Sequence, residues 1–120
     1  MDMTATINNH LAYRSLQGPM AKLRKMLKTA RYRTSCPDAN RDFGKIEESL
    51  NQIDRLSECA DWLGIIAAIA DVYDVMADLS DEIKYMTNID KKDSARRLHA
   101  RAIGVIGVVR KVAFCETLRV

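Results

Sequence analysis

One apolar seam in the second half of the chain constrains the fold more than any other feature. Its members are spaced alternately three and four residues apart: Trp62, Ile65, Ile69, Val72, Met76, Leu79, Ile83 and Met86. This repeat places them on one face of an α-helix, whereas a half-buried strand would alternate every second residue. We therefore expect a helix over about 60–87 that buries its seam against other helices.

Three other segments repeat the same spacing. Their apolar residues are Leu16, Met20, Leu23, Leu27 and Ala30 in the first, Phe43, Ile46, Leu50 and Ile53 in the second, and Leu98, Ala102, Val105, Val109 and Val112 in the third. Pro19 suits the first turn of a helix, so we expect one helix over 19–34 and a shorter helical piece over 4–17 before it.

The helix ends follow from short polar side chains. Asp38 is the predicted N-cap of the second segment, and Asp90 with Asp93 signals the start of a helix over 91–117. The β-branched run 103–109 is also compatible with a strand, but the helical spacing around it favours a helix.

The region 38–87 leaves two alternatives, one long bent helix or two helices. We favour a break near 57–61, because an unbroken helix of that length exceeds those of ordinary domains. Small residues on both sides predict that the third and fourth helices cross near Gly64 and Gly104.

The composition agrees with helices. The 120 residues include only five Gly, two Pro and 6% aromatic residues, which is unlike a turn-rich β-sandwich or barrel. We predict a single helical domain over 1–120: an all-α, mostly antiparallel bundle of four main helices with a short extra N-terminal segment.

Charge is segregated along the chain despite a net charge of +3. Lys and Arg outnumber Asp and Glu by seven to one in 1–36 and by eight to two in 91–120, whereas acids dominate by thirteen to four in 37–90. The segments either pair with each other in the fold or present opposite patches to partners.

The acidic face of the third helix is the predicted partner-binding site. It consists of Asp71, Asp74, Asp78, Asp81 and Glu82. We predict a small non-enzymatic adaptor, inhibitor or regulator that contacts another protein through a charged or apolar helix face. The composition is also typical of accessory proteins of phages and mobile elements. The long seam with its single Trp62 makes a homodimer a further expectation.

Nucleic-acid binding is the alternative function. Its candidate residues are the basic side chains of the first and last helices, Lys22, Arg24, Lys25, Lys28, Arg31, Arg33, Arg96, Arg97 and Arg101. Clustered Lys and Arg attract phosphates, but no motif of a known nucleic-acid-binding fold accompanies them.

A third hypothesis comes from carboxylates one helical turn apart, such as Asp71 with Asp74 and Asp78 with Asp81. This layout resembles that of the metal-dependent all-α nucleotide pyrophosphohydrolases, which carry E-x-x-E and E-x-x-D helices. Here Asn51 occupies a position that the family pattern gives to an acid.

Other chemistry has no clear signature. Cys36, Cys59 and Cys115 are widely spaced and lack a nearby histidine, which predicts a reducing compartment and no structural zinc. The sequence shows no catalytic constellation, phosphate-binding loop or secretory signal, and its longest apolar stretch, 62–70, is too short for a membrane span. We expect a cytoplasmic protein without cofactor, metal or membrane partner.

Overall fold

The computed structural model describes residues 3–33 and 36–118, with side chains over 11–32 and 36–118. Over these residues the chain forms four helices, α1 (Met3–Arg33), α2 (Pro37–Glu58), α3 (Trp62–Lys84) and α4 (Ile89–Leu118), and no strand. Each helix packs against the next, and α4 packs back against α1. The predicted all-α bundle of four main helices is confirmed.

Consecutive helices are antiparallel. Along α1 and α2 the partners run in opposite directions, since Tyr13 hydrogen-bonds Glu58 whereas Arg31 pairs with Glu47. Along α3 and α4 the His99 ring contacts the backbone oxygen of Met76, and Lys92 reaches that of Lys84. In this ring of four, α1 and α3 occupy opposite corners, and within the described residues no Cα atom of one lies within 8 Å of a Cα atom of the other.

The core consists of one apolar stripe from each helix. Its fully buried larger side chains are Leu16, Met20, Leu23, Leu27, Phe43, Ile46, Leu50, Ile53, Ile65, Met76, Leu79 and Leu98. Trp62 is 5% exposed, so its ring belongs to the core. Ala30, Met86 and Val112 are partly buried against the same cluster. The predicted seams are therefore the surfaces that the bundle buries.

The first helix is longer than predicted. The short piece expected over 4–17 and the helix expected from Pro19 are one continuous helix with Pro19 inside it. Proline has no N–H to donate to the carbonyl of Ser15, which weakens the helix locally. Leu16 and Met20, on either side of this point, are both fully buried, and their packing holds the helix together.

The corner between α2 and α3 confirms the predicted break. Ala60 has a φ of 56°, the left-handed conformation that ends many helices. Its N–H donates to the Ser57 carbonyl at 3.1 Å, and the N–H of Asp61 donates to the Leu56 carbonyl at 2.8 Å. These two bonds form a Schellman motif, in which alanine takes the position that glycine usually occupies.

Both predicted N-caps lie inside their helices. Because α2 begins at Pro37, whose fixed φ suits a first turn, Asp38 lies within that turn. The cap of α4 is Asn88, whose side-chain oxygen accepts from the N–H of Lys91 at 3.0 Å, and Asp90 follows in the first turn.

The predicted crossing at Gly64 and Gly104 is wrong. A Cβ atom placed on Gly104 would meet no other atom within 4 Å. At Gly64 it would lie 2.6 Å from the carboxylate of Asp61, which caps α3 by accepting from the Gly64 N–H at 3.0 Å. Gly64 therefore leaves room for the cap and does not receive a second helix.

The left-handed alanine generates a stability prediction. Replacement of Ala60 by glycine should raise the free energy of unfolding by about 1 kcal/mol, because glycine adopts this φ without a Cβ clash. Urea denaturation followed by circular dichroism measures the change. Ala67→Gly, at an exposed position inside α3, is the matched control and should lower stability by about the same amount. Equal destabilisation by both glycines would contradict the assignment.

Candidate binding groove

A groove of about 780 Å³ separates α1 from α4 near the end of the bundle where α1 finishes and α4 begins. Its apolar floor is lined by Met26, Ala30, Phe43, Met86, Ala95 and Leu98. Five cationic side chains also line it, Lys22, Lys25, Lys91, Arg97 and Arg101, with Asp90 as the only acid among the lining residues that the structure describes. We call this channel the basic groove.

Helical spacing brings these side chains together. Lys22, Lys25 and Thr29 lie three and four residues apart and share one face of α1. Ser94, Arg97 and Arg101 share the facing side of α4 in the same way. The floor is open where Ala30 and Ala95 bring small side chains to the two helices.

Most of the cations are not neutralised. Lys22, Lys25, Arg97 and Arg101 form no ion pair within the described part of the chain. Like charges that face one groove repel each other, and an anionic partner would relieve this repulsion. The groove therefore has the electrostatics of an anion-binding surface with an apolar centre.

Two of the predicted nucleic-acid-binding residues form ion pairs with α2. Arg24 pairs with Asp54 and also donates to the Leu50 carbonyl at 3.2 Å. Arg31 pairs with Glu47 at 3.0 Å. Both arginines lie on the side of α1 that faces α2, so they join these helices and do not extend the basic groove.

The remaining predicted cations divide. Lys28 is exposed but does not line the groove, and Arg96 pairs with Asp93 of its own helix at 3.9 Å. The side chain of Arg33 lies outside the described residues. Lys91 also lines the groove but is not among the predicted site residues, although the sequence places it in the same basic run as Arg96, Arg97 and Arg101. Sequence reasoning missed the whole apolar floor.

The acidic face is largely as predicted. Asp71, Asp74, Asp78 and Asp81 are all exposed on α3, and we call these four residues the acidic ridge. Asp81 pairs only with Lys84 of the same helix, at 3.5 Å, and the other three form no ion pair with a described residue.

Glu82 does not belong to this exposed face, which corrects the prediction. It is half-buried, and its carboxyl group lies beside that of Asp42 on α2, a residue only 1% exposed. Oδ2 of Asp42 and Oε2 of Glu82 are buried and receive no donor from the described residues. Burial first, and then the neighbouring carboxyl group of Asp42, raise the pKa of Glu82 to about 7. The carboxyl group of Glu82 is therefore largely protonated in mildly acidic solution.

The carboxylates do not assemble into a metal centre. Within the described residues no three His, Cys, Asp or Glu side chains come together as a set of metal ligands. Asp61 is used as a helix cap, and the acidic ridge faces outward. The pyrophosphohydrolase hypothesis therefore has no supporting geometry here. None of the described helices has the length and apolar character needed to cross a bilayer.

Comparison with known proteins adds no function to this geometry. No family model matches the sequence, and no curated protein or solved structure is significantly similar to it.

The Asp42–Glu82 pair generates a pH prediction. The pKa of Glu82 is about 7 in the folded chain and about 4.5 when unfolded, so its stabilising contribution is complete below about 4.5 and is lost as pH rises through about 7. The wild-type chain should lose stability between mildly acidic and mildly basic pH. The Glu82→Gln variant should lose about 1–2 kcal/mol less over the same range. This is less than the full equivalent of the pKa change, because solvent screens a half-buried group.

Chemical denaturation of both proteins at several pH values tests this. Glu48→Gln, at an exposed position on α2, is the control and should keep the wild-type pH dependence. A Glu82→Gln protein with the wild-type pH dependence would contradict the raised pKa of Glu82.

Proposed function

We propose that this chain is a small non-enzymatic interaction protein that holds an acidic, amphipathic helical segment of a partner in the basic groove. The observation that carries the proposal is the position of four cations around one apolar floor, Lys22, Lys25, Arg97 and Arg101, none of which pairs with an acid among the described residues. This deepens the predicted protein–protein contact by naming a different face from the acidic one.

The floor supports a protein partner. Met26 and Met86, which are only partly buried, offer flexible apolar surface of the kind that binds the apolar face of a helix. A duplex phosphate backbone would use the cations but would leave this apolar surface without a partner.

The shape of the groove supports a helical partner. It is bordered by two antiparallel helices, so a third helix laid between them would complete a three-helix packing arrangement. Acidic side chains on both flanks of that helix would then reach the cations of α1 and α4.

Binding of a designed peptide tests the proposal. The probe is a stapled, fluorescein-labelled helix of about 18 residues with leucines on one face and glutamates on both flanks. Fluorescence anisotropy should detect binding by the wild-type chain. The double variant Lys22→Glu/Arg101→Glu should bind at least about tenfold more weakly, because it reverses one charge on each border of the groove.

The double variant Lys45→Glu/Lys111→Glu is the control. It changes the net charge by the same amount at exposed positions outside the groove, and it should bind like the wild type. Equal weakening by both variants would show that only net charge matters, and absence of peptide binding would reject the groove as a docking site.

Nucleic-acid binding is a second candidate, favoured by one observation. The two basic clusters of α1 and α4, which are distant in the sequence, meet at the same groove through Lys22, Lys25, Arg97 and Arg101.

If nucleic acid is the ligand, electrophoretic mobility shifts with single- and double-stranded DNA should be visible at about 50 mM salt and should weaken steeply by about 200 mM. The same Lys22→Glu/Arg101→Glu variant should abolish the shift, whereas Lys45→Glu/Lys111→Glu should reduce it only slightly. No shift at the lower salt concentration removes this candidate.

A further inference from the structure

The basic groove sets three requirements on its occupant. The occupant must be anionic on both flanks to meet cations on α1 and on α4. It must be narrow enough to approach a floor lined by Ala30 and Ala95. It must also match the groove in length, which from Lys22 to Tyr32 along α1 is ten residues, or about 15 Å.

The exposed side of α3 in the same chain meets the charge requirement. The acidic ridge carries four carboxylates, three of which form no ion pair with a described residue. The groove carries four cations that likewise form no ion pair with a described residue. The ridge cannot enter the groove of its own molecule, because the ridge faces away from the bundle on α3 and the groove lies between α1 and α4.

The ridge also meets the requirements of width and length. Ala67, Ala70 and Ala77 are exposed among the carboxylates, so this side of α3 has no bulky side chain at those positions. From Asp71 to Asp81 the ridge spans ten residues, which is again about 15 Å. Tyr73, 37% exposed, lies on the flank of α3 between the acidic ridge and the core.

We propose that the occupant of the basic groove is the acidic ridge of a second copy of this chain. The proposal rests on the proposed function of the groove and names its partner. The contact is heterologous, because it joins two different surfaces, the acidic ridge and the basic groove. Each molecule offers its ridge to one neighbour and its groove to another. Such a contact produces rings or open chains and does not stop at a symmetric dimer.

Sedimentation velocity of the full chain tests the assembly. At about 0.05 M salt the mean sedimentation coefficient should rise with protein concentration beyond the dimer value. At about 0.5 M salt the assembly should dissociate, because the dissolved ions shorten the Debye length and screen the attraction between the exposed carboxylates and cations. A monomer at every concentration overturns the proposal, and so does a closed dimer that is insensitive to salt.

Two variants identify the surfaces. Asp74→Lys/Asp78→Lys reverses the ridge and leaves the groove open, whereas Ser94→Trp fills the groove and leaves the ridge intact. Each variant alone should be monomeric. All three sites are exposed, and circular dichroism verifies that both variants remain folded. An assembly that persists in either variant overturns the proposal.

The mixture of the two variants gives the sharpest result. The open groove of the ridge variant should receive the intact ridge of the groove variant, and the mixture should form a 1:1 complex that grows no further. Absence of this complex overturns the proposal. The double variant Glu48→Lys/Glu58→Lys makes the same charge change at exposed sites on α2 and should assemble like the wild type.

The outcomes separate this inference from the function on which it rests. A chain that binds the acidic peptide but does not assemble disproves the self-docking and keeps the groove as a site for another protein. A chain that does neither loses both. Peptide that dissociates the assembly supports both, because peptide and ridge then compete for one groove.

Discussion

The burial of one apolar stripe from each of four helices is the constraint from which the charge distribution of this bundle follows. Short connections make consecutive helices antiparallel, so the ring order equals the chain order and α1 lies diagonally across from α3. The most basic and the most acidic helix thus occupy opposite corners. Their outward faces cannot neutralise each other within one molecule, whatever the details of side-chain packing.

The two acidic helices, α2 and α3, differ in whether their carboxylates are paired within the bundle. Two carboxylates of α2, Asp54 and Glu47, face α1 and pair with Arg24 and Arg31. Those of α3 that form the acidic ridge face solvent. Of the two alternatives for the charged segments, pairing within the fold therefore applies to α1 and α2, and exposed patches apply to α3 and the groove. The unbalanced remainder, the basic groove and the acidic ridge, is what the proposed interactions use.

The sequence predicted the helices well because each one buries a stripe with a period near 3.6, and this periodicity is local. It predicted the interior of α1 poorly, since Pro19 normally marks a helix start and only tertiary packing of Leu16 and Met20 overrides that preference. It also missed the direction of Glu82, which shares its helix with the exposed aspartates but reaches Asp42 on a neighbouring element. The groove was unpredictable for the same reason, because its two sides come from helices about 65 residues apart in sequence.

The binding free energies expected from ion pairs and from apolar burial show which of the two contributes more to affinity at the groove. An exposed ion pair contributes about 0–1 kcal/mol, so four such pairs supply at most a few kcal/mol. Micromolar affinity requires about 8 kcal/mol beyond the cost of association, so the apolar floor must contribute the larger part. With an association cost of about 4–15 kcal/mol included, and at about 25 cal/mol per Å², this corresponds to about 400–800 Å² of apolar area removed from water, counted over both surfaces. The cations then select which helix docks and accelerate its approach, whereas the partly buried Met26 and Met86 determine how long it stays.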